Sequence, residues 1–200
     1  MTNSNPEFII FTGPMFSSKT TGLLSTIDRF RYQKKSVIVF KPESDERYSK
    51  NGVVTHRGEC VDATPIAEGA DLIEFLANSD IFYEVVAIDE AFMIKGISDV
   101  LVWLFKKGVT VVISSLTLSY NLQIFNEISK VLPYSTSIEV RSAVCTVCGQ
   151  DAYYTYRKTD DNEMIVIGGK ELYEPRCWEH HPDINNREFS STKQLGEKGD

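Results

Sequence analysis

A chain of 200 residues can bury a full core and has room for one main domain with a small appendage. Its composition, 42% hydrophobic and 24% charged, is that of a soluble globular protein and excludes a fibrous or wholly disordered one. A net charge of -7 argues against a nucleic-acid partner, because proteins that grip a phosphate backbone usually carry a basic face.

The few basic clusters are short, and the KGVT turn (107–110) and the stretch Arg29–Lys35 read as solvated helix ends. No window approaches the ~18 apolar residues of a membrane helix, so no membrane partner is expected. The opening MTNSNPEF has no basic region ahead of an apolar one and reads as no secretion signal, which predicts a cytoplasmic protein.

FIIFT (8–12) predicts a short strand ending at Gly13-Pro14. Leu23, Leu24, Ile27, Phe30 and Arg31 then keep helical spacing from Ser18 to about Tyr32. SVIVFKP (36–42) predicts a second strand, CVDATPI (60–66) a third, and ADLIEFLANS (70–79) a helix. YEVVAID (83–89) follows as a fourth strand, with a helix over about Ser98–Lys107. VTVVISSL (109–116) is a fifth strand, Ile124–Leu132 a helix and SIEVRSA (137–143) a sixth strand. Apolar strands alternating with helices predict a parallel sheet covered on both faces. After Ala143 tyrosines, cysteines and polar residues replace this rhythm. The expected units are therefore 1–142, a second unit over 143–182, and a disordered tail over 183–200.

Gly13-Pro14-Met15-Phe16-Ser17-Ser18-Lys19-Thr20 stands where a phosphate loop belongs, between a strand and a helix. Such a loop wraps backbone N–H groups round phosphates, a lysine reaches the terminal phosphates, and a hydroxyl ligates Mg²⁺. Lys19 and Thr20 fit those roles and point to ATP. The strict pattern has glycine where Ser18 stands, and a plainer reading makes Ser17 or Ser18 a helix cap. Val85-Val86-Ala87-Ile88-Asp89-Glu90 has the form of the second nucleotide motif, with Asp89 holding Mg²⁺ through water. Glu90 would project into the crevice at the strand ends, where a carboxylate can take a proton from an attacking hydroxyl. Acidic residues often end strands without function; the pairing with the loop gives this one its meaning.

Cys145-x-x-Cys148 and Cys177-x-x-His180 make a ligand set of the structural-zinc type, with His181 an equally open fourth ligand. The alternative is buried cysteines with incidental spacing; Cys60 stands apart. The loop between the knuckles carries Tyr153–Arg157, an acidic turn at 159–163 and Gly168-Gly169, and predicts a lid or lasso pinned at its base. Residues 156–168 are too polar to pack alone and are expected to be mobile in the free protein. His56 reads as a loop histidine with no nucleophile beside it. Phe92 and Met93 read as core packing, although their place at a strand end keeps them near any ligand.

The loop GPMFS-x-K, the Asp-Glu strand end and the zinc-type quartet together resemble the type II thymidine kinases, a RecA-like family with a zinc-bound lasso. The similarity runs from about residue 8 to 181. GPMFSSKTT differs from the family's GPMFSGKST mainly at Ser18. Asp45-Glu46-Arg47-Tyr48-Ser49 is similar to the family's Asp-x-Arg-Tyr-Ser, and Thr55-His56 falls at its Thr-His. After Asp-Glu the family continues Gly-Gln-Phe-Phe; Ala91-Phe92-Met93-Ile94 stands there instead, so Met93 replaces a pocket phenylalanine. Leu116, Tyr120 and Phe125 match the leucine and two phenylalanines lining the base pocket, with Thr117-Leu118 in place of Asp-Gly. Val166-Ile167-Gly168-Gly169 and Tyr173 resemble the segment that holds thymine through backbone groups, and Arg157 matches a lasso arginine.

The resemblance implies a RecA-like P-loop α/β domain with a C-terminal zinc-binding lasso domain. It implies transfer of the γ-phosphate of ATP to the 5′-hydroxyl of thymidine, and of deoxyuridine as a second acceptor. Glu90 would be the base, Gly13–Thr20 and Asp89 would hold ATP and Mg²⁺, and Zn²⁺ would sit on Cys145, Cys148, Cys177 and His180. Met15, Met93, Leu116, Tyr120, Phe125, Arg157, Val166, Gly168 and Tyr173 would bind the nucleoside. It further implies a homo-oligomer, commonly a tetramer, with feedback by the end-product triphosphate. Two other readings share these motifs. A nucleic-acid-dependent RecA-like ATPase would want a basic face, and a non-catalytic nucleotide-binding protein would suit the departures at Ser18 and Ala91–Ile94.

Overall fold

The apolar runs of the first 140 residues become one six-stranded parallel sheet in the computed structural model, which describes residues 5–45, 52–54, 60–159 and 165–184. Its strands are β1 (Phe8–Thr12), β2 (Val37–Pro42), β5 (Thr64–Ile66), β6 (Val85–Ile88), β7 (Thr110–Ser115) and β8 (Ser137–Val140), in the order β5-β2-β6-β7-β1-β8. Helices α1 (Lys19–Tyr32), α2 (Gly69–Ala77), α3 (Ile97–Lys106) and α4 (Asn126–Val131) make the crossovers.

Alternation along each strand builds two cores, because successive side chains leave opposite faces of a sheet. Ile9, Phe11, Val39, Ala87 and Val112 pack with Leu23, Leu24, Ile27 and Phe30 of α1 on one face. Phe8, Ile10, Phe40, Ile88 and Ile113 pack with Leu72, Leu101, Leu104 and Ile128 of the other three helices on the opposite face. Helix α2 starts cleanly because the Asp71 carboxylate accepts the N–H groups of Ala67 and Glu68 at 2.8 and 3.0 Å, tying down its entry.

The connection after β1 leads to β2, and that after β6 leads to β7, so the chain leaves in opposite directions on either side of β7. The carboxyl ends of β1, β7 and β6 therefore lie side by side at the point where strand order reverses, which is where open α/β sheets take ligands.

The predicted strand 60–66 divides in two. Its first part, β4 (Cys60–Asp62), pairs antiparallel with β3 (Gly52–Val54), and only β5 joins the main sheet beside β2. Pro65 explains part of this: lacking an N–H, it fits only a strand with one free side, and β5 is the edge. β8 ends at Val140, shorter than the predicted 137–143.

Beyond it the chain forms two small antiparallel ribbons, β9 (Ala143–Val144) with β10 (Asp151–Ala152) and β11 (Tyr154–Arg157) with β12 (Tyr173–Arg176). The lasso tip at 160–164, the stretches holding Arg47, Tyr48, Ser49, Thr55 and His56, and residues 185–200 of the tail lie outside the described residues. Among those described, no helix is long and apolar enough to cross a membrane.

Candidate active site

The loop after β1 turns sharply because Gly13 adopts φ 140. A Cβ there would fall 2.1 Å from the Arg141 carbonyl oxygen and 2.8 Å from Ser17 Oγ, so only glycine fits. Ser17 Oγ and Lys19 Nζ both donate to the Pro14 carbonyl, at 2.8 and 2.7 Å, folding the loop back on itself. Lys19 is buried, and the first N–H groups of α1, which have no partners within the helix, open at the same point.

Ser18 has φ 60 and its hydroxyl makes no cap bond, while Ser17 serves the loop; neither behaves as a helix cap. The glycine of the strict motif thus has a conformational reason, since an L-residue pays ~1–2 kcal/mol in the left-handed region. Ser18→Gly is expected to raise the melting temperature by about 2–8 °C and to leave nucleotide turnover equal or higher. A lower melting temperature with lost turnover would show that the hydroxyl has a positive role.

Across the crevice, Asp89 continues β6, its N–H donating to the Phe40 carbonyl at 3.0 Å. Thr20 Oγ1 donates to its carboxylate at 3.2 Å, and Ser114 Oγ of β7 bonds the same group. An aligned hydroxyl and carboxylate beside a lysine are the hard oxygen donors that suit Mg²⁺. Lys41, Asp45 and β3 complete the walls of this cavity, which spans about 720 Å³ including its open mouth.

Burial, followed by the adjacent Glu90 charge, pushes Asp89 up to about 7, against the lowering influence of the Ser114 and Thr20 hydroxyls. Without metal, the folded chain holds a proton that the unfolded chain releases near 3.8, so this carboxylate costs stability increasingly as pH rises from about 4 to about 7. Asp89→Asn removes that penalty. Without added magnesium the variant should be more stable than the parent at pH 8, by on the order of a few kcal/mol in denaturant unfolding, and the gap should shrink as pH falls to 5. A gap independent of pH would contradict the assignment.

Glu90 follows with φ 50, a left-handed conformation that glutamate rarely adopts, and this turns its side chain away from the strand line. A second, apolar cavity of about 490 Å³ including its mouth opens beside it. Met15, Met93, Leu116, Tyr120, Phe125, Val166, Gly168 and Tyr173 all line it, joined by Phe92, Ser119, Thr155, Ile165 and Ile167. Phe92 stacks on Phe125 with ring centres 4.6 Å apart, so it is both packing and wall. Among the described residues, Met15 and Glu90 alone border both cavities.

Arg157 is the exception among the expected wall residues. It is buried behind the wall with its guanidinium 3.6 Å from the centre of the Tyr120 ring, so it backs that ring rather than facing the cavity. Tyr173 Oη donates to the Val166 carbonyl at 2.8 Å and fixes the returning arm of the lasso. The outgoing arm is tied to the phosphate loop: Met15 N–H donates to Thr155 Oγ1 at 3.0 Å.

At the base of the lasso, the ligand atoms of Cys145, Cys148, Cys177 and His180 all lie within 4.8 Å of one another. Cys148 and Cys177 sulfurs are 3.6 Å apart, near the ~3.8 Å edge expected of a tetrahedron with Zn–S bonds of about 2.3 Å. His180 Nδ1 lies 3.1 Å from Cys177 Sγ and 3.9 Å from Cys145 Sγ. His181 is turned inward instead, fully buried between Tyr154 and Tyr156, with Nε2 3.3 Å from the Thr155 carbonyl. The geometry thus separates the two histidines that spacing left equivalent. Burial pushes the Cys145 thiol up, but the N–H groups of Cys177, Cys148 and Val147 outweigh it and bring it down to about 6, favouring the thiolate a metal needs.

Lys41 borders the polar cavity, Ser119 and Thr155 border the apolar one, and Ser114 bonds Asp89, none of them singled out from sequence. Each lies within an otherwise ordinary strand or loop; the polar endings of VIVFKP and TVVISSL were the only signal. The family model described as thymidine kinase matches residues 7–181, from the start of β1 through the zinc-type quartet. With loop, carboxylates, apolar cavity and cysteine–histidine cluster all inside that match, the chain belongs to the thymidine kinase family.

Proposed function

We propose that this protein transfers the γ-phosphate of ATP to the 5′-hydroxyl of thymidine, and to that of deoxyuridine as a second acceptor. The observation that carries the reading is the junction of the two cavities: a polar one on the phosphate loop and an apolar one under the lasso meet at Met15 and Glu90. A phosphoryl donor in the first and a nucleoside in the second would meet beside a carboxylate.

In this reading Gly13–Thr20 cradle the triphosphate, and Lys19 exchanges the Pro14 carbonyl for its terminal phosphates. Thr20 and Asp89 would hold Mg²⁺, which would supply neutralisation of the charge on the phosphates. The nucleoside 5′-oxygen forms a bond to the γ-phosphorus while the bond to the bridging β–γ oxygen breaks, leaving ADP. Glu90 accepts the hydroxyl proton. Phosphoryl transfer depends mainly on positioning and electrostatics, and these residues supply both. Residues 143–182 act as a zinc-pinned unit that closes over the base and excludes water, limiting wasteful hydrolysis. A homo-oligomeric, tetrameric state and a cytoplasmic setting belong to the same proposal.

Selectivity would come from the apolar walls and from backbone groups at 166–168 reaching the base edge. Such a pocket excludes purines by size and penalises cytosine, whose edge would leave a buried partner unpaired. Thymidine should therefore slow hydrogen exchange over residues 156–168, and deoxyadenosine should not. Equal protection by both nucleosides, or by neither, would mean that the lasso does not read the base.

A further inference from the structure

β7 is aliphatic from Val111 to Ile113 and then ends in two serines, at the level where it runs between the phosphate loop and the end of β6. Parallel registers set Ser114 beside Phe11 on one side, and Ile113 beside Ile88 on the other, so Asp89 is the next neighbour of Ser114. Ser114 is 1% exposed. A hydroxyl that deep in a sheet costs stability unless both its proton and its lone pairs find partners.

Here they do. Ser114 Oγ donates to Asp89 Oδ1 and accepts the backbone N–H of Glu90 at 3.4 Å. One proton and two lone pairs allow both bonds at once. Ser115 cannot stand in, because its hydroxyl is directed to the Leu116 carbonyl at 3.0 Å. We infer that Ser114 is a positioning residue, whose single hydroxyl sets the rotamer of the Asp89 carboxylate and steadies the left-handed backbone that aims Glu90 toward the second cavity. Thr20 reaches the same carboxylate from the loop side, so Asp89 is gripped from both flanks. Groups that orient a metal-holding carboxylate in this way commonly contribute 10- to 100-fold to metal affinity or activity.

The kinetic half of this inference rests on the phosphotransfer reading; the metal half does not. The test is titration of Mn²⁺ into the full chain with a non-hydrolysable ATP analogue, followed by electron paramagnetic resonance, with no nucleoside present. Ser114→Ala should weaken Mn²⁺ binding about 10- to 100-fold, and Ser114→Thr, which keeps the hydroxyl, should restore most of it. In turnover assays Ser114→Ala should lower kcat while leaving the KM for thymidine close to the parent's. If Ser114→Ala does not fold, Ser114→Cys fills the same space with a weak donor and should show the same loss of Mn²⁺ affinity. Parent-like Mn²⁺ affinity in the alanine or cysteine variant, or failure of threonine to restore it, overturns the inference. Loss of Mn²⁺ affinity in a protein that phosphorylates no nucleoside would sustain the role of Ser114 and sink the acceptor assignment alone.

Discussion

Glu90→Gln is expected to lower phosphoryl transfer by ~10²–10⁴-fold while ATP and thymidine still bind. The substitution keeps the size of the side chain and removes only its ability to take a proton. Glu90 borders both cavities, and among the described residues no histidine lines either of them. Asp89, which lines the polar cavity beside it, is engaged with Thr20 and Ser114 and is assigned to the metal. Isothermal titration of each ligand, set beside single-turnover transfer, separates binding from chemistry. Near-parental turnover in Glu90→Gln would remove the general-base role.

The second large effect concerns the metal cluster. Ala143, Cys145, Ala152 and Cys177 form the buried core beneath the lasso, too few apolar residues to hold two short ribbons together. Structural zinc can contribute ~10–16 kcal/mol in small finger peptides, so the segment after 142 is expected to depend on it. Metal analysis should find one zinc per chain. His180→Ala should lose it, whereas His181→Ala should keep it, because His181 faces Thr155 and the tyrosines. Chelation should abolish thymidine binding before the parallel sheet melts, and it should loosen the grip of Thr155 on the Met15 N–H. Zinc retained by His180→Ala, or a sheet that unfolds together with the lasso, would contradict this arrangement.

Much of this was legible in the residues themselves. Buried parallel strands announce themselves as unbroken aliphatic runs, and VVAI and FIIFT folded as such. The phosphate loop and the cysteine knuckles were legible because their chemistry demands fixed local spacing. What escaped was non-local. Ser114 matters through its neighbour one strand away, and nothing within VTVVISSL says which strand that will be. Arg157 was placed among the nucleoside-binding residues by its likeness to a lasso arginine, and its stacking on Tyr120 depends on how the ribbon packs against the loop after β7. His180 and His181 could be separated only by the direction in which the final turn points each ring. The break of 60–66 depended on a partner strand, β3, that is three residues long and carries almost no periodic signal.

The central claim, a phosphoryl donor site and a pyrimidine nucleoside site meeting at Glu90, is tested most directly by incubating the protein with γ-labelled ATP, Mg²⁺ and each deoxynucleoside in turn. Label is expected in the monophosphates of thymidine and deoxyuridine, and not in those of deoxyadenosine, deoxyguanosine or deoxycytidine. ATP bound tightly with no label in any nucleoside, or ATP hydrolysis stimulated by DNA and indifferent to thymidine, would contradict it.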